Sequence, residues 1–130
     1  MTNTEQIAAG IIVLERTALD RWGAGAPSGY LDISAPEVTY FDPFIERRID
    51  GLEALSAWYA PLRGTIHVDR YEMLAPKVQV YGEVAVLTFN LVSHSGATVM
   101  RWNCTEVYQH DKDGWRIVQT HWSITQPMQG

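Results

Sequence analysis

The second half of the chain most constrains its fold, because long runs of strand-forming residues alternate there with short turn sequences. The runs span residues 67–80, 84–93, 98–109 and 115–125, with an interruption at Pro76. Three turn segments separate them: Tyr81-Gly82-Glu83, Ser95-Gly96 and Asp111-Lys112-Asp113-Gly114. Consecutive strands joined by tight turns pair in opposite directions. The pattern therefore predicts a four-stranded antiparallel meander.

The first half of the chain has helical periodicity instead. Thr2 and Glu5 have the spacing of a capping box at the start of a helix. Apolar residues then recur at three- and four-residue steps, at Ile7, Ile11, Leu14, Ala18 and Trp22. This pattern predicts a long first helix that ends at Gly23-Ala24-Gly25.

Three shorter elements are expected between that helix and the meander. Ser28 starts a short second helix that runs through Ile33. A strand follows over residues 37–41, and Pro43 ends it. Asp50-Gly51 precedes a third, amphipathic helix that ends near Pro61 and Gly64.

The order of these elements predicts an α+β fold. Helices precede the strands rather than alternate with them, which argues against a doubly wound parallel sheet. The helices are expected to pack on one face of a curved antiparallel sheet. A chain of 130 residues is long enough to bury one core, so we expect a single domain over residues 1–130.

Charge and hydropathy exclude several classes of partner. The formal net charge is -5, and the densest basic segment is Arg47-Arg48, which is too little for a nucleic-acid backbone. The apolar run from Ile7 to Leu14 is too short to span a bilayer and is followed by Glu15-Arg16. We expect no nucleic-acid partner, no membrane anchor and no signal peptide.

Cysteine and histidine usage points away from disulfides and metals. Cys104, the single cysteine, cannot form an internal disulfide, which favours a cytoplasmic location, and we interpret it as a small buried hydrophobe. The histidines have no metal-binding spacing; they are His67, His94, His110 and His121. No metal and no cofactor are predicted.

The last strand carries large side chains on both faces. Simple alternation places Trp115, Ile117 and His121 on one face and Val118 and Trp122 on the other. Only one face can lie under the helices, so the other would expose an aromatic patch, and we predict a homodimer that buries it. His121 then lies at the interface, although a bulge would exchange the faces.

Several segments along the chain follow a familiar pattern. They are Val38-Thr39-Tyr40-Phe41-Asp42-Pro43, then Ile49-Asp50-Gly51 before a helix, then residues 76–87, and finally Gly114-Trp115-Arg116-Ile117-Val118 with His121-Trp122-Ser123. Together they resemble the SnoaL-like branch of the nuclear transport factor 2-like superfamily, from Glu5 to Thr125. The resemblance implies a cystatin-like cone, in which a curved antiparallel sheet wraps around N-terminal helices and encloses an apolar pocket.

The superfamily implies a fold more strongly than a function. Its members include ketosteroid isomerase, polyketide cyclases, dehydratases, epoxide hydrolases, a kinase association domain and many binding modules. The matching segments are superfamily patterns rather than a catalytic signature. Function therefore has to be argued from individual residues.

Asp42 is the strongest candidate for chemistry. In ketosteroid isomerases a similar strand ends in Asp-Pro and the Asp is the general base, so the resemblance implies that role for Asp42. A carboxylate at the rim of an apolar pocket has its charged form disfavoured, which favours proton transfer. The alternative interpretation is that Asp42 only starts a turn before Pro43.

Glu106 is the second candidate, as an acid. The isomerase pattern needs a first-helix Tyr and a protonated carboxyl on a strand. By resemblance these positions fall near Ala18 and near Cys104 or Glu106, so the Tyr is missing and ketosteroid isomerase activity itself is not expected. Glu106, if buried and protonated, is a partial substitute. Otherwise it forms an ion pair with Arg101 or Arg116.

The resemblance also predicts the walls of the pocket. The residues expected to line it are Trp22, Tyr40, Trp58, Phe89, Leu91, Trp102, Cys104, Tyr108 and Trp122, with Tyr30 as a further aromatic candidate. Such walls suit an apolar or aromatic small molecule. Each of these residues taken alone is also consistent with an ordinary core position.

Three functions remain open on the sequence. The first is a cofactor-free lyase, isomerase, cyclase or hydrolase with Asp42 as base. The second is a module that binds a small ligand without changing it. The third is an assembly domain like that of the kinase, whose pocket arginines by resemblance are replaced here by Leu91, Glu106 and Trp122.

Overall fold

The computed structural model describes residues 2–125 and confirms the α+β architecture. Its helices are α1 (Asn3–Gly23), α2 (Ser28–Leu31) and α3 (Leu52–Tyr59), the last followed by a 3₁₀ turn, Ala60–Leu62. Its strands are β1 (Ser34–Phe41), β2 (Ile49–Asp50), β3 (Arg70–Tyr81), β4 (Val84–Ser95), β5 (Thr98–Asp111) and β6 (Gly114–Ile124). Among these residues no helix is both long enough and apolar enough to cross a membrane.

Helix α1 begins and ends where the sequence predicts. The Thr2 side chain accepts a hydrogen bond from the backbone N–H of Glu5 at 3.0 Å, which caps the first turn. The buried face of the helix includes Ile11, Ala18 and Leu19. Helix α2 stops at Leu31, before the predicted Ile33, because the chain turns into β1 from Ser34.

The sheet has the strand order β2-β1-β6-β5-β4-β3. Strands β3 to β6 form the predicted antiparallel meander. Strand β1, however, lies parallel to β6, with Tyr40 opposite Thr120 and Phe41 opposite His121. The sequence predicted a curved antiparallel sheet and did not indicate this one parallel pairing, which joins the N-terminal half of the chain to its last strand.

A bulge in β6 moves Trp115 and Ile117 to the face opposite the predicted one and leaves His121 and Trp122 on their predicted faces. Tyr108 pairs with Ile117 and Val107 pairs with Gln119, so Val118 is the extra residue. As a result, Ile117 and Trp122 share the concave face, where Ile117 is fully buried. The prediction that Ile117 lies opposite Trp122 was wrong because alternation breaks at Val118.

The same bulge weakens the aromatic patch that suggested dimerisation. Trp115 packs against the core instead of forming an exposed surface with Ile117. His121 stays on the face opposite Trp122, where its ring lies 5.1 Å from that of Phe41. The outer face thus carries fewer large aromatic side chains than the sequence predicts.

The core fills the concave side of the curved sheet. Its strand contribution comes mainly from the inward residues of β4 and β5, such as Leu87 and Tyr108, both fully buried. Helix α1 lies across this surface with Ile11 and Leu19 against it. The interruption predicted at Pro76 takes the form of a bulge between Leu74 and Lys77, which bends the edge strand β3 around the helix.

Gly29 allows α2 to pack directly on α1. A Cβ atom added at Gly29 would lie 2.8 Å from the Cβ of Arg21 and 3.3 Å from the carbonyl oxygen of Ala18. This approach places the next residue, Tyr30, within hydrogen-bonding distance of Glu15. The absence of a side chain at Gly29 is therefore a packing requirement.

We expect alanine to have opposite effects at two helical glycines. Gly10 is exposed in α1 and has no atom within 4 Å of an added Cβ, so Gly10→Ala should raise the free energy of unfolding by about 0.5–1 kcal/mol. Gly29→Ala should lower it by about 1–3 kcal/mol through overpacking. Urea denaturation of both variants tests this, and equal effects would contradict the close packing of α2 on α1.

Candidate functional site

One end of the cone encloses a cavity of about 510 Å³. The ends of β1 and β6, the start of β5 and the C-terminal parts of α1 and α3 meet there. Its lining is mainly aromatic and aliphatic: Leu19, Trp22, Tyr30, Tyr40, Asp42, Phe44, Trp58, Tyr59, Leu62, Ile66, His67, Val68, Tyr71, Leu91, Ser93, Ser95, Thr98, Met100, Trp102 and Trp122. This volume lies in the range of small-molecule sites.

Asp42 lies in the cavity wall immediately after β1. Its Oδ2 accepts hydrogen bonds from the hydroxyl of Tyr40 at 2.7 Å and from the indole N–H of Trp58 at 3.3 Å. Its Oδ1 accepts one from the backbone N–H of Phe44 at 2.7 Å. The last contact is the turn-initiating bond of an Asx turn. The same carboxylate therefore starts the turn and lines the cavity.

Tyr40 is a fixed donor to Asp42. Burial, with further contributions from Tyr59 and Asp42, raises the pKa of the Tyr40 hydroxyl far above its ordinary value. Burial also raises the pKa of Tyr59, whose ring meets that of Tyr40 edge-to-face at 5.6 Å. Both hydroxyls therefore keep their protons, and Tyr40 orients the carboxylate of Asp42 as a neutral donor.

Aromatic rings form much of the remaining wall. Trp102 and Trp122 pack edge-to-face at 5.9 Å, and Phe44 approaches Trp102 at 6.2 Å. On the helical side, Trp22 packs edge-to-face on Tyr59 at 5.1 Å. Phe44 and Trp58 also remain partly open to solvent, which places them at the mouth of the cavity.

The structure separates the predicted pocket residues into two groups. Trp22, Tyr40, Asp42, Trp58, Leu91, Trp102 and Trp122 line the cavity together. Phe89, Cys104, Glu106 and Tyr108 point to the same concave side but lie outside the lining, in the packed core. These four lie on the middle of β4 and β5, where α1 covers the sheet and leaves no open space.

Glu106 belongs to a buried polar cluster beneath the cavity. Thr120 donates to its Oε2 at 2.5 Å, and the thiol of Cys104 lies 3.7 Å from its Oε1. Glu15 of α1 is the second carboxyl of this cluster and accepts hydrogen bonds from the hydroxyls of Tyr30 and Tyr108 at 2.6 and 2.7 Å. The partners of Glu106 are thus buried side chains, and the alternative of an ion pair with Arg101 or Arg116 was wrong.

The two carboxyl groups share a dry environment. Both are fully buried, and burial is the largest cause that raises the pKa of each. The charge of Glu15 raises the pKa of Glu106 further, whereas the tyrosine donors act in the opposite direction on Glu15. Burial and the neighbouring carboxyl group therefore favour the protonated form of Glu106, whereas the hydroxyls of Tyr30 and Tyr108 favour the ionised form of Glu15.

The same cluster is the one group of three metal-type donor side chains found within residues 2–125. Donor atoms of Glu15, Cys104 and Glu106 all lie within 4.8 Å of one another. Burial raises the pKa of the Cys104 thiol well above its ordinary value, and both carboxyls already have protein hydrogen-bond partners. This arrangement favours a shared proton rather than a bound cation.

Tyr30 connects this cluster to the cavity. Its ring lines the cavity floor, while its hydroxyl donates to Glu15. Glu15 was not predicted as a site residue, although the sequence holds a signal: a charged residue four positions after Ile11, within the apolar stripe of α1. The sequence analysis also missed Phe44 and Tyr59, whose roles depend on how the β1–β2 connection and α3 fold over the cavity.

The fold, in which a curved sheet wraps around the N-terminal helix, places the protein in the nuclear transport factor 2-like class. More specifically, the chain belongs to the SnoaL-like domain family, whose model matches residues 24–127. No functionally curated protein matches the chain.

Solved structures agree with this assignment. A protein from Parabacteroides distasonis, provisionally described as a ketosteroid isomerase, is 43% identical, with a TM-score of 0.82, over 90% of this chain and 86% of that one. An NTF2-like protein of unknown function from Pseudomonas putida is 17% identical, with a TM-score of 0.83, over 95% and 90% of the two chains. The CaMKII hub of S. rosetta is 22% identical, with a TM-score of 0.75, over 91% and 96%. The last two likenesses establish the fold alone.

We expect the buried proton of Glu106 to make stability depend on pH. Its pKa in the folded protein is raised above the ordinary 4.5, so the stability it confers is complete below about pH 4.5 and is lost as pH rises through the folded pKa. The loss has a limiting slope of about 1.4 kcal/mol per pH unit. Glu106→Gln, which keeps a neutral donor, should show a shallower decline of the unfolding free energy between pH 5 and 9.

Urea denaturation of both proteins at several pH values measures the two slopes. Glu37→Gln, at an exposed carboxylate of β1, is the control and should keep the wild-type slope. Parallel profiles for the wild type and Glu106→Gln would contradict a shared buried proton.

Proposed function

We propose that this protein is a cofactor-free acid/base enzyme that acts on an apolar small molecule, with Asp42 as the proton acceptor. The observation that carries the proposal is a carboxylate fixed by Tyr40, Trp58 and the Phe44 N–H in the wall of an apolar cavity. The reaction class is an isomerisation, elimination, cyclisation or hydrolysis. Each begins with removal of a proton from carbon or from water.

The surroundings of Asp42 support a general base. Such a base must be oriented toward its substrate and shielded from bulk water. The three donors fix the plane of the carboxylate, and aromatic rings form much of the cavity wall around it. A carboxylate has about four lone-pair sites, so one remains for a substrate proton.

We propose a supporting role for Glu106 rather than contact with substrate. It lies outside the cavity lining, and its connection to the cavity runs through Glu15 and Tyr30. The cluster holds the Tyr30 ring in the floor of the cavity. Glu106 therefore positions one wall of the site, whereas Asp42 carries the chemistry.

A second candidate function is ligand binding without turnover. It is favoured by the lining itself, which has no arginine or lysine among residues 2–125 to stabilise an enolate. In that case the cavity and Asp42 select a ligand, and no bond changes. The two functions differ in whether a bound C–H acid exchanges its proton.

We expect wild-type protein to catalyse deuterium exchange on a flat C–H acid. The probe is 2-tetralone, an apolar ketone, in D₂O, with loss of the α-proton signals followed by NMR. Asp42→Asn should lower the catalysed rate by about 10²-fold or more, because it removes the base and leaves the shape unchanged. The amide oxygen can still accept from Phe44, so the turn should persist.

The control is Glu37→Gln, which removes an exposed carboxylate from β1 outside the cavity lining and should leave the rate unchanged. If 2-tetralone binds but exchanges no faster than in buffer, the binding function replaces catalysis. If Asp42→Asn keeps the full rate, Asp42 is not the base.

We also propose that the chain forms a homodimer in the cytoplasm through the outer face of the sheet. Val86 and Val107 are cross-strand neighbours on that face and are only half-buried in the single chain. The fold likeness to a CaMKII hub is compatible with such self-association. An outer face of valine and threonine side chains can associate without the aromatic patch that the sequence suggested.

Sedimentation velocity should give twice the chain mass for the wild type and the chain mass for Val107→Arg, because a charge buried in an interface opposes association. Val13→Arg, at a 62% exposed position of α1, is the control and should stay dimeric. A monomeric wild type would refute the homodimer and leave the cavity proposal intact.

A further inference from the structure

We propose that the cavity selects a cationic ligand, a flat apolar molecule that carries one positive charge on nitrogen. This inference rests on the proposed function in one respect, since it takes the cavity to be the ligand site. It does not require that the ligand be turned over.

The first observation is the charge of the lining. Among residues 2–125, Asp42 supplies the only carboxylate of the lining, and no lysine or arginine accompanies it. His67 is the one lining residue that can become cationic, and its Nε2 lies 2.6 Å from Oδ1 of Asp69. The carboxylate of Asp42 is therefore the single negative charge in the cavity lining. An anionic ligand would be repelled there, whereas a monocation would be neutralised.

The second observation is the kind of wall that surrounds this charge. Trp58 both donates to Asp42 and borders the cavity mouth, and Phe44, Trp102 and Trp122 form a chain of edge-to-face rings on the other side. Ring faces attract cations, by about 0.5–2 kcal/mol for each contact, with the larger value in desolvated sites. The wall therefore favours a ligand that has both a positive charge and an apolar surface.

The third observation is that the donors to Asp42 are all neutral. The Tyr40 hydroxyl, the Trp58 indole and the Phe44 backbone N–H orient the carboxylate but do not cancel its charge. In this it differs from Asp32, which is paired with Arg21 at 2.8 Å, and Asp50, which is paired with Arg48 at 2.5 Å. The charge of Asp42 thus remains available to a ligand. The formal net charge of -5 also favours the approach of cations over anions.

A positive charge on the ligand also fits the proposed chemistry. When the charge lies in a C=N⁺ group next to the carbon that loses a proton, that proton moves to a carboxylate oxygen of Asp42. The electron pair of the broken C–H bond forms a C=C bond, and the π pair of the C=N⁺ group moves to nitrogen and neutralises it. The product is neutral, so the reaction needs no cationic side chain to stabilise it. This matches a lining that supplies none among the described residues.

The test is a charge series on one apolar body. The probes are 1-naphthylmethylamine, 1-naphthylmethanol and 1-naphthoate, which are cationic, neutral and anionic at pH 7.5, and calorimetry gives each Kd. For wild-type protein we expect the amine to bind about tenfold more tightly than the alcohol and the carboxylate to bind most weakly. This comparison uses unmodified protein, so it does not depend on whether a variant folds.

Asp42→Asn should reduce the preference for the amine over the alcohol to less than about threefold, while Glu37→Gln should keep it. Equal or tighter binding of the alcohol or the carboxylate to the wild type would overturn the charge preference and leave a neutral-ligand cavity, as the proposed function allows. Binding of none of the three would overturn both. A preference for the amine that survives in folded Asp42→Asn would show that Asp42 is not its origin.

Discussion

The hydrogen bonds to Glu15 fix how the helices sit on the sheet. Its carboxylate accepts from Tyr30 of α2 and Tyr108 of β5 and faces Glu106 of the same strand. Apolar contacts between α1 and the sheet are non-directional and would tolerate sliding or rotation of the helix. A buried carboxyl group with directional hydrogen bonds does not, because any shift would leave it without partners at a cost of about 1–3 kcal/mol. The hydrogen bonds of Glu15 therefore fix the position of α1 along and around its axis. This position places Trp22, two turns further along the helix, in the cavity wall.

The sequence predicted best where local chemistry decides the structure. The Thr2 cap and the apolar spacing of α1 depend on a few neighbouring residues, and both were confirmed. The turns of the meander contain Gly82, Gly96 and Gly114 at positive φ, a conformation that glycine adopts most readily, so strand order followed from the turns. In each case the residues that determine the element lie within it.

The sequence-based predictions failed where contacts between segments far apart in the chain determine the structure. The bulge at Val118 depends on how β6 meets β5, and nothing in the alternation of Trp115 to Trp122 marks the extra residue. The parallel pairing of β1 with β6 joins residues about 80 positions apart. The separation of Phe89 and Cys104 from the cavity depends on where α1 covers the sheet. The sequence therefore predicted that Asp42 and much of the aromatic wall lie in the candidate site. It did not predict the buried Glu15–Glu106 cluster.

The contrast between the two sets of carboxyl groups explains where chemistry is possible. Glu15 and Glu106 have every polar atom of their side chains partnered inside the protein, so they contribute orientation and a titrating proton but no contact with a ligand. Asp42 is held just as firmly, yet one side of its carboxylate borders empty space. A group that is fixed by neutral donors but left with its charge uncompensated can act on whatever enters the cavity. Since the rings around it cannot supply a counter-charge, the molecule that enters has to bring either a transferable proton or a positive charge of its own.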